Sequence, residues 1–410
     1  MTKTADLSSA YSPNPLFSDD AVDLAVLRGR AYNHRWAEQP PDVIPLTAAD
    51  PDFPAPQAVR EAIMNYASSG YFSYGPPAGL PEFRETVSEV VRARKGISVP
   101  AARVLPIDSA ARAMFLMAEA VLAPGDEAII FDPVDFLFKR SVEAAGAIPV
   151  FCPVDPATGA FDPDRLESLV TPRTRMLGVC NPHNPVGRVL RENEVRMLAE
   201  FAARHDLWVM NDEIWSDIVY GDDGVAFHSM HALPPELTRK TVTIYGFSKA
   251  FSMAGLRAAF LLCPNEATYE DFLAASQMPA TAGGVAPIVQ VAATAAFRHG
   301  WEWVAAFVEH LRSQRNYATE RIASMPGLRC PSPEGTYVLF PDITAFGLSS
   351  QAVVETLLQD ARVALVPGTP AFFGPGGEGH IRICFATSRD ILREGLDRVE
   401  NWIATQKEHV

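Results

Sequence analysis

Lys249 stands between two apolar runs in TIYGFSKAFSMAGLRAAFLL, residues 243–262. A lysine held against apolar walls loses part of its preference for the charged form and becomes a nucleophile able to attack a carbonyl carbon. The other five lysines (Lys3, Lys95, Lys139, Lys240 and Lys407) fall at the chain ends or in polar stretches, and are expected to be exposed. Four further stretches carry groups that complement such a lysine. Asp212 ends the apolar run WVMND, where a carboxylate serves either as a functional group or as a helix N-cap. Asn184 lies in VCNPHNPVGRV, whose two Asn-Pro steps read as a rigid extended turn presenting an amide. In PIDSAARAMFLM, Ser109 and Ala110 sit where a strand becomes a helix. Free N–H groups at such a helix start suit a phosphate, and an ordinary serine cap has the same sequence. Arg382 interrupts the apolar HIRICFA, a costly position unless it is paired with a carboxylate of the protein or of a substrate.

A nucleophilic lysine, a carboxylate, an amide, a phosphate cradle and a carboxylate fork together suit pyridoxal 5′-phosphate (PLP) acting on an amino acid. The lysine would form a Schiff base with the aldehyde, and the aspartate would partner the pyridinium nitrogen.

Such groups need elements to hold them. Seven short apolar runs, RVLPI, EAIIF, IPVFCPV, RMLGVCN, LWVMND, TVTIYG and RAAFLLC, are mostly separated by helical patterns over 110–123, 136–146 and 191–205. Apolar strands alternating with helices predict an α/β fold whose mostly parallel seven-stranded sheet lies between helices. Ligands bind such sheets beyond the carboxyl ends of the strands. Further helices are expected over 56–70, 78–96, 349–361 and 388–405, with one long helical stretch after about 285. A chain of 410 residues suggests two domains. The expected division is an N-terminal segment (1–56) contributing to the small domain, a large PLP-binding domain (57–295) and a small C-terminal α+β domain (296–410). The formal charge of −14 argues against nucleic acid or an anionic membrane surface as partner. No apolar stretch approaches the roughly 20 residues of a membrane span, and the first twenty residues lack the apolar core of a secretory signal. The five cysteines are scattered without metal-ligand spacing, so reduced thiols in a cytoplasm, and no metal site, are expected.

From AADPDFPAP (48–56) to RICFATS (382–388) the chain resembles the fold-type I PLP enzymes, and within them the class I/II aminotransferases. The resemblance implies that Lys249 attaches the cofactor and shuttles the proton, and that Asp212 keeps the pyridine nitrogen protonated. It implies that Asn184 bonds the phenolic oxygen and that Arg382 binds the substrate α-carboxylate, with Ala49 beside the substrate. Arg257, eight residues after the lysine, matches the phosphate-binding arginine. Ser109, Ala110 and Ala111 fall at the phosphate cradle, and Ser248 offers a further phosphate contact. Tyr74 matches a tyrosine that reaches the phosphate of the neighbouring subunit, so a homodimer with shared sites is implied.

Three positions depart from the family pattern. Gly246 replaces a serine hydroxyl. Trp215 stands where Tyr or His is usual; its indole N–H donates to the phenolic oxygen but accepts nothing. The ring-stacking aromatic, two residues after Pro133, is replaced by Asp135, leaving Phe136 to stack after a one-residue shift.

The expected reaction is transfer of an amino group from an L-amino acid to a 2-oxo acid. The alternative is β-elimination: ADPDFPAP, NPHNPVGRV and GTYVLF resemble the cystathionine β-lyase (MalY/PatB) branch, which releases pyruvate, ammonia and a thiol. A non-catalytic regulator of the same fold is a more distant alternative, and the presence of Lys249, Asp212 and Arg382 argues against it. Loops 10–35, 71–77 and 278–285 are expected to shape the side-chain pocket. QMPATAGGVAP (277–287) holds no cation for an acidic substrate, which points to a neutral or hydrophobic amino acid.

Overall fold

A computed structural model describes residues 14–406. Lys3, Lys407 and the first residues of the 10–35 loop lie outside that range. All seven apolar runs are strands of one sheet. After a short strand β1 (Ile44–Pro45) these are β2 (Val104–Ile107), β3 (Glu127–Asp132), β4 (Ile148–Pro153), β5 (Thr174–Cys180), β6 (Trp208–Asp212), β7 (Thr241–Gly246) and β8 (Ala259–Leu262). Their spatial order is β2-β8-β7-β6-β5-β3-β4. The pairs β3–β4, β3–β5, β5–β6 and β6–β7 are parallel, while β8 runs antiparallel to both β7 and β2. The one reversed strand means that residues 247–258 return along the same edge of the sheet rather than crossing over it. Lys249 and Arg257 both lie on that return.

The sheet is apolar along its length, as strands covered on both faces must be. Every residue of β2, β3, β7 and β8 is buried. Helices Ala110–Val121, Phe136–Ala144 and Glu192–Arg204 occupy the stretches where the sequence predicts them. The long helical stretch is two helices, Pro287–His299 and Trp301–Ser324. The break falls at Gly300, where a Cβ would meet the Ala296 carbonyl at 2.6 Å and the Phe251 ring at 2.9 Å.

The C-terminal part carries β9 (Val338–Leu339), β10 (Val363–Ala364), β11 (Val366–Pro367) and β12 (Ile381–Cys384). β12 pairs antiparallel with β9 and β11, while β1 pairs parallel with β10. The N-terminal strand therefore joins a C-terminal one, and β12 carries Arg382 opposite Val366. No helix among the described residues is long and apolar enough to cross a membrane.

Candidate active site

The polar residues singled out in the sequence follow the carboxyl ends of β2, β5, β6 and β7. Lys249 is half-buried, and its Nζ donates to the Ala49 carbonyl at 2.7 Å. Its ammonium lies 5.1 Å from the centre of the Trp215 ring. Burial pushes the lysine below its usual pKa and Arg382 pushes the same way, while Asp50 and Asp135 oppose. The Ala49 carbonyl also accepts from the Tyr337 hydroxyl at 3.1 Å, and Tyr337 packs edge-on against Trp215 at 4.6 Å. The strip bearing Ala49 is held from behind. Arg35 pairs with the Asp52 carboxylate, which also accepts from Trp36 Nε1 at 2.7 Å.

Asp212 closes β6 and is 7% exposed. No helix starts there; Oδ1 instead accepts from the Ile214 amide at 3.0 Å, closing a turn. Burial pushes this carboxyl up to about 7, the Ile214 N–H and Lys249 pull it down, and Asp135 adds to the rise. A buried carboxylate with this shift gains most from a cationic partner.

Ser109 caps the helix Ala110–Val121, its hydroxyl accepting from Arg112 N at 3.1 Å. The amides of Ala110 and Ala111 belong to the first helical turn, which has no intrahelical acceptors. Ser248 is half-buried beside Lys249, and Arg257 is exposed with a positive φ of 57°. Gly246 is buried at the end of β7; a Cβ there would touch Ile214 at 3.1 Å and Ala110 at 3.6 Å. The hydroxyl missing at this position would thus have lain beside the helix start.

Asn184 and Arg382 meet, although 198 residues apart. Arg382 Nη1 donates to Asn184 Oδ1 at 3.2 Å, and Nη2 donates to the Thr47 carbonyl at 3.3 Å. The guanidinium lies 5.2 Å from the Phe373 ring, and its buried Nε has no acceptor among the described residues. Asn181–Pro182, Asn184–Pro185 and Asp132–Pro133 are cis peptides.

Two of the expected site residues stand apart from this cluster. Tyr74 is 91% exposed, on the wall of a cleft of about 340 Å³ between loops 71–77 and 278–285. Phe136 begins its helix half-buried, with its ring near Arg140 (5.0 Å) and Phe372 (6.3 Å). Asp135, not Phe136, is hydrogen-bonded into the cluster. Asp50, Tyr337 and Phe373 also adjoin the site without having been assigned a part from sequence; Asp50 and Tyr337 lie within the family-like stretches AADPDFPAP and GTYVLF. One expectation fails outright. Lys95 is buried, its side chain 6% exposed and paired with Asp217 at 3.4 Å under the Tyr245 ring. Its polar neighbours RARKG hide a helix end that packs against Asp217 and the Tyr245 side chain of β7.

Comparison with known proteins shows the family and the fold. Residues 41–399 match the family described as aminotransferase class I and II. An aspartate aminotransferase of Pyrococcus horikoshii is 32% identical over 89% of this chain and 92% of its own length. The crystal structure of an aromatic aminotransferase from the same organism superposes with a TM-score of 0.83 at 31% identity, covering 94% of this chain and all of that one. A chain from Clostridium difficile 630, described as a PLP-bound aminotransferase, gives a TM-score of 0.86 at 26% identity over 94% of this chain and 99% of that one.

Proposed function

The chain belongs to the class I and II aminotransferases and is a PLP-dependent enzyme exchanging an amino group between an amino acid and a 2-oxo acid; from that premise we propose the part each residue takes. The residues fit the cofactor. A buried carboxyl raised to about 7 suits a pyridinium nitrogen. Two first-turn amides and the exposed Arg257 suit a phosphate.

Bound PLP supplies a protonated ring that takes up the electron pair left when the α-C–H bond of the amino acid breaks. Asp212 holds the proton on the ring nitrogen. Lys249 would hold the cofactor at rest and, once displaced by the substrate amine, would move the α-proton with its Nζ. Arg382 receives the α-carboxylate on its fork. Asn184 would donate an amide N–H to the cofactor's phenolic oxygen, and Trp215 would offer its indole N–H as a further donor. Ser109, Ala110, Ala111, Ser248 and Arg257 hold the phosphate.

One observation carries this reading. Lys249 bonds the carbonyl of Ala49 and Arg382 bonds that of Thr47. Two residues of chain span at most about 7 Å, so the amine and the carboxylate fork are held by one short segment and face the same small volume.

The finer assignments are ours. The neighbouring subunit of a homodimer lends Tyr74 to the phosphate; Tyr71 and Phe72 are exposed on the same loop, an apolar surface suited to burial. The donor is a neutral or hydrophobic amino acid, supported by a cleft lined by Phe72, Tyr74, Pro77 and Met278 and by no charged side chain among the described residues. The five cysteines form no disulfide, in keeping with a cytoplasmic location.

A panel of amino donors with a 2-oxo acid acceptor tests the proposal. Neutral donors should transfer best. Borohydride should fix the cofactor to Lys249, and Lys249→Ala should lose transfer by several orders of magnitude. Transfer that survives Lys249→Ala, or pyruvate release from cystathionine with no acceptor and no transfer, would reject it.

A further inference from the structure

Asp135 precedes the helix Phe136–Ala144 and caps it, Oδ1 accepting from Leu137 N at 3.1 Å. A cap occupies one carboxylate oxygen. The other, Oδ2, accepts from Asn184 Nδ2 at 2.9 Å. The backbone adds a second link, from the Asp135 N–H to the Asn184 carbonyl at 3.2 Å. At the other end of the same amide, Oδ1 accepts from Arg382. A carboxylate only accepts and a guanidinium only donates, so the amide has one permitted orientation. Turned over, it would set oxygen against oxygen at Asp135 and N–H against N–H at Arg382.

We propose that Asp135 is a positioning residue: by holding Asn184 Nδ2 it fixes the amide, and through it the Arg382 fork, before the substrate carboxylate arrives. Arg382 needs such help. Among the described residues its bonds are the two of 3.2 and 3.3 Å, and its Nε is buried without an acceptor. The second N–H on Asn184 Nδ2 stays free for the cofactor. The inference rests on the aminotransferase reading of the site.

The test uses the holoenzyme and propionate, a carboxylate without an amine, titrated by its effect on cofactor absorbance. Asp135→Ser keeps a capping residue but cannot reach Asn184. The propionate Kd should rise roughly ten-fold or more, the scale of one lost hydrogen bond to a charged group, in a protein that stays folded and keeps its cofactor. In an Asn184→Ala background the same substitution should add nothing, because the two act through one contact. Asp135→Asn, which has one acceptor oxygen for two donors, should shift Kd in the same direction and serves if the serine variant is unstable. An unchanged Kd would reduce Asp135 to a cap. Tighter propionate binding would show that Asp135 acts only through its negative charge near Arg382. A Kd rise that persists without Asn184 would show a route that bypasses the amide. Each of the three overturns the proposal. A wild-type protein that holds PLP but ignores propionate would instead remove Arg382 from the carboxylate site, and the inference with it.

Discussion

At the scale of single residues, Asp212 shows what the site costs the fold. Its carboxyl titrates near 7 when folded and near 4 when unfolded. Between those values the folded chain keeps a proton that the unfolded chain has released, so this group's contribution to stability falls as pH rises from about 4 to 7. Apoprotein carrying Asp212→Asn should therefore melt several degrees above wild type at pH 8, and the gap should close towards pH 5. Equal melting temperatures at pH 8 would refute this. The same variant should hold PLP more weakly, since the pyridinium loses its counter-charge. Such residues were legible in sequence because each is a polar group set against apolar neighbours. Lys249, Asp212 and Arg382 were singled out on that ground, with a helix cap open for Asp212 and an ion pair for Arg382, and the family resemblance gave each its part. The Asp135 contact did not, because its partner lies 49 residues away and a helix cap accounts for the local sequence.

At the scale of elements, the end of β3 is tied to the C-terminal part of the chain. The Gly376 amide donates to both Asp132 oxygens at 2.9 Å, and the Val134 N–H donates to the Phe373 carbonyl at 3.0 Å. Gly374 approaches Asp132 so closely, at a φ of +81°, that a Cβ would meet Oδ1 at 2.4 Å. Gly374→Ala should cost about 1–3 kcal/mol in denaturant unfolding. It should also raise KM for the amino donor, because Phe373 in the same loop lies beside Arg382. Unaltered stability and KM would show that the loop yields freely. All seven large-sheet strands were legible, since a strand buried on both faces is apolar throughout. The Gly300 break was not, because part of what leaves no room for a side chain there is the ring of Phe251, which lies about fifty residues earlier on the chain. Lys95 misled for a related reason: local polarity reports exposure only when no distant carboxylate buries the charge.

At the scale of the whole molecule, the proposed sharing of Tyr74 between subunits predicts complementation. Lys249→Ala and Tyr74→Ala chains, each impaired alone, should recover roughly a quarter of wild-type transfer when unfolded and refolded together in equal amounts. Half the dimers would then be hybrids, each with one intact site. No recovery, from chains that do form hybrids, would place Tyr74 in the site of its own subunit. The reversed strand β8 bears on the remaining half of the site. Because the chain doubles back after β7 instead of crossing the sheet, residues 247–258 serve as a ruler whose two marks are Lys249 and Arg257. On the proposed assignment of Lys249 and Arg257, the spacing between the groups that would hold the cofactor's reactive carbon and its phosphate is written into one short loop, and a changed residue count there should weaken cofactor binding even with both side chains kept.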